Sequence, residues 1–565
     1  MSDTPTRPAA ANPAARAAAV AAAAAARAAP DWDLVLKRNN VERLKREKFP
    51  LEIVNELEEL GQKNYLDIAE EDMVRFQWYG LYQDKPKVGY FMLRIKAPSG
   101  IMTAAQYRAI GELSQKFGRD YTELSTRQNV QLHWLQIKDF PEVFAAMEAV
   151  GLTSLGGCGD SVRNITGCPV AGLDAEELWD CRPELDQVVQ YFLSDRDYFD
   201  LPRKHKITIS TCTAQCNAPE INCIVFIGTQ QDGREGYSLR VGGGLSSTPR
   251  LARDLNVFVP RGEALEVSKA ILDVWRTDLR YRLSRAKARL KFLVDDYGVD
   301  GVREAVEKRL GRSLETLQQA PRPVGSVDHL GPHRQKQDGR FYIGFPVFLG
   351  HVTGAQTIQI ADLAAEFGGE IRLARQQNFI ITDVPEARVE EVIKRVADIG
   401  FPLDINGIRG ASVGCTGQPL CNYAVAETKT KLKEIVLRLE DRFGRDVEGL
   451  KLGVDGCPHA CAHHWVTDIG LQGTTARGDE AGHEKLEAYE IYLRGGLGEN
   501  AEIGRPLLRR VPTAEAADYV ERLVAAYLAE RNAAETFQAF AKRKTDEELI
   551  SIGTGAPLVA AASQQ

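Results

Sequence analysis

Gly100–Gly118, GIMTAAQYRAIGELSQKFG, and Gly350–Gly368, GHVTGAQTIQIADLAAEFG, are two versions of one element. Each opens on a turn glycine, offers a threonine as N-cap and continues with apolar residues at helical spacing. Leu124-Ser-Thr-Arg-Gln-Asn129 follows the first, and Leu373-Ala-Arg-Gln-Gln-Asn378 follows the second after one residue of slippage. A strand-like run comes next in each copy, VQLHWLQI or FIITDV, then Pro141-Glu142 or Pro385-Glu386, and a second amphipathic helix ending at Gly151 or Gly400. The repeated unit reads strand, helix, strand, helix, which suits α+β layers.

The duplication continues downstream. His205-Lys-Ile-Thr-Ile-Ser-Thr-Cys-Thr-Ala-Gln-Cys216 parallels Leu450-Lys-Leu-Gly-Val-Asp-Gly-Cys-Pro-His-Ala-Cys461, and Val241-Gly-Gly-Gly-Leu245 echoes Arg494-Gly-Gly-Leu-Gly498. Two related halves, joined by an expected linker near Ala320–Arg340, predict a pseudo-twofold molecule with a cleft between them, where a cofactor can sit.

Composition narrows the class. The 565 residues are 44% hydrophobic and 26% charged, as in folded globular proteins. The formal charge of −7 argues against a general nucleic-acid binder. No apolar run reaches the roughly 18–20 residues of a membrane helix. The alanine-rich residues 1–30 lack a secretory core and read as a disordered tail, so a cytoplasmic location is expected. No strand-linked G-x-G-x-x-G, Walker A or HExxH pattern is present, so reducing power must come from a separate protein.

Ten cysteines are too few for a disulfide scaffold of this length. Cys415-x5-Cys421 and Cys457-x3-Cys461 lie in glycine- and proline-bearing loops, VGCTGQPLC and DGCPHAC. Four thiolates with no other obvious ligand suit an iron–sulfur cluster. Zinc competes because His459, His463 and His464 crowd the second pair. Cys212-x3-Cys216, with Cys158 and Cys168 upstream, leaves a second cluster open.

The quartet Cys-x5-Cys…Cys-Pro-x-x-Cys, with the duplication, resembles the ferredoxin-dependent assimilatory nitrite and sulfite reductases over about Asp31 to Ile550. The resemblance implies an internally duplicated α+β fold: two ferredoxin-like half-domains plus two α/β domains that bind sirohaem and a [4Fe-4S] cluster, related by pseudo-twofold symmetry. It implies that Cys415, Cys421, Cys457 and Cys461 hold the cluster and that Cys461 bridges to the sirohaem iron. Arg94, Arg163, Lys204 and Lys206 would surround the substrate side of the haem, while Arg127, Gln131 and His133 would contact the macrocycle or its carboxylates. The family often has asparagine at the position of His459. Expected boundaries are a helical segment at 31–75, paired halves at 76–150 and 340–405, a sirohaem and substrate domain at 151–339, a cluster domain at 406–545 and a tail at 546–565.

An anionic cofactor and an anionic substrate ask for arginine and lysine, arginine being suited to bidentate carboxylate contacts. A lysine buried among arginines has its pKa pushed down, which favours proton donation near neutrality. Arg280-Tyr-Arg-Leu-Ser-Arg-Ala-Lys-Ala-Arg-Leu-Lys291 reads as a basic helix facing sirohaem carboxylates, an acidic electron donor or solvent. Reduced ferredoxin is the expected donor and a monomer the expected state.

The substrate is drawn two ways. Nitrite reductases commonly follow the first lysine with asparagine two residues on, whereas sulfite reductases keep lysine at both, so Lys206 points to sulfite. DSVRNITGCPVAGLDAEEL is closer to the nitrite branch. Some sulfite reductases crosslink a tyrosine to a cysteine; Tyr82 matches the tyrosine, and Ser161 is read as standing in the cysteine's place. The expectation is six-electron reduction of nitrite to ammonia, with sulfite to sulfide as the alternative.

Overall fold

The computed structural model describes residues 30–323, 328–478 and 485–557. The expected disordered tail at 1–30 falls, all but its last residue, outside the described residues.

Both halves of the repeat build sheets, and they build them together. The first sheet runs β1 (Leu81–Gln83), β2 (Phe91–Ile95), β5 (Val130–Leu135), β4 (Thr122–Leu124) and then β13 (His351–Val352) from the second half. Its counterpart runs β11 (Gly331–Arg334), β12 (Arg340–Phe345), β15 (Phe379–Pro385), β14 (Glu370–Leu373) and then β3 (Ile101–Thr103) from the first. Each half thus lends its neighbour an edge strand, and edge hydrogen bonding holds the pair. Phe91, Phe140, Phe345 and Phe379 belong to one continuous buried core that both halves share.

The quoted threonines are the N-caps expected of them. Thr103 and Thr353 each accept from the backbone N–H three residues on, and Gln106 and Gln356 accept back from the cap N–H, closing two equivalent capping boxes. Those helices, Ala104–Phe117 and Gly354–Ala365, cross where Gly111 meets Gly354. A Cβ at either glycine would stand 2.7 Å from the other's carbonyl oxygen, so only glycine permits the approach. Gln128 and Gln377 sit at matching left-handed positions and reach across the pseudo-axis reciprocally. Gln128 Nε2 donates to Leu373 O at 3.0 Å and Gln377 Nε2 to Leu124 O at 2.8 Å.

The downstream echo is also structural. β6 (Ile207–Ser210), β7 (Ile224–Gln231), β8 (Arg234–Val241), β9 (Arg253–Pro260) and β10 (Glu315–Thr316) form one sheet. β16 (Val413–Gly414), β17 (Leu452–Asp455), β18 (Ile469–Arg477), β19 (Lys485–Leu493) and β20 (Arg505–Pro512) form another. β6 pairs with β7 in parallel, as β17 does with β18, and a cysteine-bearing loop follows β6 and β17 alike. The GGG and RGGLG loops leave β8 and β19. Gly243 and Gly495 both press on backbone carbonyls that a Cβ would meet at 2.5 Å.

Three expectations need correction. The end of the expected linker near 320–340 is not free chain but β11, which pairs with β12, while 324–327 lie outside the described residues. The stretch 280–291 is not one helix. It makes two short turns, Leu279–Arg282 and Arg285–Lys287, before a helix begins at Leu290, because Arg280, Arg282 and Arg285 turn to Asp278, Glu42 and Asp160 rather than along one face. The expected tail begins as a helix, Asp546–Thr554, capped by Thr545 and docked through the buried Leu549.

Candidate functional site

Strand pleating sorts the basic residues. Along extended chain, alternate side chains share a face. Lys204 and Lys206 therefore point together into the cleft, while His205 between them is wholly buried against Trp275. Arg94 and Lys96 share a face in the same way at the end of β2. Opposite Arg94 on β5 stands Gln131, whose Oε1 accepts from Arg94 Nε at 3.0 Å and Nη2 at 2.7 Å. Arg127 sits at the tip of the β4–β5 turn and Gln376 at the tip of the β14–β15 turn. Both line one cleft, with Arg375, Asn217, His329 and His463.

The electrostatics of that cleft are one-sided. Arg94 donates to Cys158 Sγ at 2.9 Å, Arg163 to the carbonyls of Gly157 and Gly159, Arg127 to Asn222 Oδ1 and Asn164 O, and Arg289 to Cys223 Sγ at 3.1 Å. Among the described residues, no carboxylate pairs with any of these arginines or with Lys96, Lys204 or Lys206. Arg127 Nε, Arg289 Nε and Arg375 Nε are buried without a partner. Burial, then Arg163 and Arg289, hold Lys204 down to about 7; burial, then Arg163 and Arg127, do the same to Lys96. Burial, Arg127 and Lys204 push Lys206 well below the ordinary lysine value. A buried charge without a partner is costly, so this arrangement is built to receive anionic groups.

The four C-terminal cysteines close the cleft from the other side. Asp455 organises their loop: its carboxylate accepts from Ala462 N at 2.7 Å and lies 2.8 Å from His464 Nδ1. Gly456 N donates to Cys415 Sγ at 3.3 Å, and Cys461 faces the first half, its carbonyl accepting from Thr126 Oγ1 at 2.6 Å. The thiolates of a tetrahedral zinc site stand about 3.8 Å apart. No three of these four sulfurs gather within 4.8 Å. The spread suits a group larger than one ion, and His464, taken by Asp455, is no ligand. Burial pushes the Cys457 thiol up to about 12, so a bound metal centre is needed to keep it as thiolate.

Two sequence readings change here. The thiol close enough to act on the half-buried Tyr82 is Cys158, which accepts from Arg94 Nη1 at 2.9 Å; Ser161 turns its hydroxyl to the Cys158 carbonyl at 2.9 Å. His133 does not reach the cleft. It is buried between Asp84, 2.9 Å from Nδ1, and Glu123, 3.7 Å from Nε2. Gln131 is likewise a brace, joining Arg94 to Glu123 and to Thr416 beside Cys415. Cys158 also stands apart from Cys212 and Cys216, so those cysteines do not form one second cluster. Sequence reasoning reached Arg289 only as part of the basic stretch 280–291 and did not single out Lys96 or Arg375; Lys96, two residues after Arg94 on the same strand face, was legible.

The fold and its cleft define a redox enzyme that holds a metal cluster beside an anion-binding cofactor pocket. Residues 158–314 and 407–551 match the nitrite and sulphite reductase 4Fe-4S domain, and residues 82–150 and 333–399 match the nitrite/sulfite reductase ferredoxin-like half domain. The chain is 34% identical over 538 residues to sulfite reductase [ferredoxin] 1 of Mycolicibacterium paratuberculosis, covering 90% of this chain and 96% of that one. It is 34% identical over 520 residues to the assimilatory ferredoxin-dependent nitrite reductase of Haloferax mediterranei, covering 86% and 88%. The solved structure of Mycobacterium tuberculosis NirA superposes with a TM-score of 0.85 at 33% identity, covering 90% of this chain and 96% of that one. This chain belongs to the nitrite and sulfite reductase family. It is an oxidoreductase whose cofactors are sirohaem and a [4Fe-4S] cluster. No helix among the described residues is long and apolar enough to cross a membrane.

The buried His133 makes a testable contribution to stability. Burial pulls its pKa down, but Asp84 and Glu123 outweigh burial and raise it from the ordinary histidine value of about 6.5 to about 9. The ion pair is therefore fully present below about pH 6.5 and lost as pH rises through about 9. The melting-temperature difference between wild type and His133→Gln should shrink from pH 6.5 to pH 10; a difference independent of pH contradicts the pairing.

Proposed function

We propose that the chain reduces sulfite to sulfide with six electrons from reduced ferredoxin, acting as a cytoplasmic monomer. The single observation that carries this reading is a set of basic side chains without carboxylate partners: Lys96 and Arg163, which are buried, and Arg94, Lys204 and Lys206, which are half-buried. A dianion with three oxygens compensates such a set better than a monoanion with two. The lysine at 206 and the presence of Cys158 with Tyr82 in one pocket favour the same branch. Nitrite reduction to ammonia is the second reading, supported by the DSVRNITGCPVAGLDAEEL segment and by the nitrite-reducing relative.

Cys415, Cys421, Cys457 and Cys461 would hold the cluster, and Cys461 is the exposed thiol of the four. Arg127, Arg289 and Arg375, whose Nε atoms are buried without a partner, would meet the macrocycle's carboxylates. When bound, sirohaem and the cluster supply the iron that holds the substrate and the electrons that reduce it. Arg94 is held rigid by Gln131 and Arg163 by two backbone carbonyls, so their charges face the oxyanion at no reorganisation cost. Lys204 Nζ, poised near neutrality, is the group to hand a proton to a departing oxygen, with Lys206 and Lys96 behind it.

Steady-state kinetics with both anions and one common reductant test the substrate. The reading expects kcat/KM for sulfite to exceed that for nitrite; a preference for nitrite overturns it. Lys204→Ala should lose roughly 10²–10⁴-fold in turnover. Activity that depends on protonated Lys204 should decline at a pH above the value of about 7 that this lysine has without bound anions, because cofactor and substrate charges raise it, and Lys204→Arg should remove that limb. Full turnover by Lys204→Ala would sink the assignment.

A further inference from the structure

Away from the cluster loops, three chain segments bring thiols and an imidazole into one pocket. Cys168 lies before the helix Arg182–Ser194, Cys212 and Cys216 lie in the β6–β7 loop, and His329 precedes β11. Cys216 Sγ is 3.5 Å from Cys168 Sγ and 3.9 Å from Cys212 Sγ. Ligand atoms of Cys168, Cys216 and His329 all fall within 4.8 Å of one another, the one such trio among the described residues. His329 Nε2 is buried without a hydrogen-bond partner, and the residue is 2% exposed.

The histidine is held there at a cost. Its φ is +59°, a left-handed conformation unusual for a residue with a Cβ. Its carbonyl oxygen occupies the space a side chain at 344 would need, 1.7 Å from where a Cβ would stand, so Gly344 makes the placement possible. Strain of this kind persists where surrounding structure fixes the residue for a purpose.

We propose that Cys168, Cys216 and His329 bind a zinc ion, with Cys212 completing a Cys3His tetrahedron. Zinc takes thiolate at about 2.3 Å and imidazole at about 2.0–2.1 Å, so its ligands stand roughly 3.5–3.8 Å apart. The observed sulfur separations match that edge. They are too close for the four corners of an iron–sulfur cube, unlike the C-terminal quartet, whose sulfurs stand further apart. Binding converts the thiols to thiolates and releases their protons to solvent. Three thiolates leave the site with one net negative charge, and Arg375, close enough to act on Cys216, offsets it. On the side of Cys168 and Cys212 the pocket is backed by Val170, Leu173, Tyr342 and Ile380, while Cys216 and His329 border the polar cleft. The ion would clamp the first half's cysteine loops to the strand pair that opens the second.

The alternative is a small apolar cluster whose cysteines are plain buried thiols. Metal analysis of the purified holoenzyme, washed with EDTA, separates the two. The zinc reading expects about one zinc per chain in addition to the cofactor iron. Cys168→Ser and, separately, Cys212→Ser, at thiols that do not line the cofactor cleft, should each lose that zinc while haem absorbance, iron and labile sulfide are unchanged. If Cys168→Ser fails to fold, Cys212→Ser alone carries the readout. No zinc in the wild type, with these thiols free to alkylation or joined as a disulfide, overturns the proposal. So does zinc retained by both variants.

Discussion

Positive charge without a protein counterion governs this molecule. Lys96, Arg94, Arg127, Arg163, Lys204, Lys206 and Arg289 converge on one cleft, and no aspartate or glutamate among the described residues neutralises them. Elsewhere the chain pairs its buried charges closely. Asp160 meets Arg203 and Arg285, Lys45 and Arg282 share Glu42, and His133 is gripped by Asp84. The contrast marks the cleft as a place built to receive anionic groups. The fold supplies the stability to hold like charges together, and the anionic cofactor and substrate repay it on binding.

The duplication is what makes such a cleft possible. Two half-domains that exchange edge strands and share one core place their β-turn tips face to face. Reciprocal hydrogen bonds from Gln128 and Gln377 fix that approach. Divergence at the tips then sets polarity: the first half carries Arg127 where the second carries Gln376. The same logic holds in the outer domains, where equivalent loops after β6 and β17 carry cysteines. One loop, wrapped around Asp455, spreads its thiols toward the cleft. The other folds them inward against His329.

Much of this was legible in the sequence, for physical reasons. Capping boxes, turn glycines and strand alternation are local, so the repeat, its helices and the two C-terminal cysteine pairs announced themselves. Long-range pairing is not local. Nothing near Ser161 in the chain shows that Cys158 is the thiol in the Tyr82 pocket, and nothing near His133 shows that Asp84 and Glu123 enclose it. The basic stretch at 280–291 misled because its helical spacing was outweighed by carboxylates far away in sequence, Glu42 and Asp160. Asp455, adjacent to the cysteines, was readable only once its contacts to Ala462 and His464 were seen.

The central claim predicts a trade between stability and cofactor retention. Replacing a basic side chain that has no ion partner with an isosteric apolar one removes a desolvation cost from the empty chain and a ligand contact from the loaded one. The direct measurement is the melting temperature of cofactor-free protein alongside haem retention for wild type and Lys206→Met. The account predicts that Lys206→Met melts higher than wild type when empty and binds less sirohaem or turns over more slowly when loaded. A variant that melts lower when empty, with loaded activity unchanged, would contradict it.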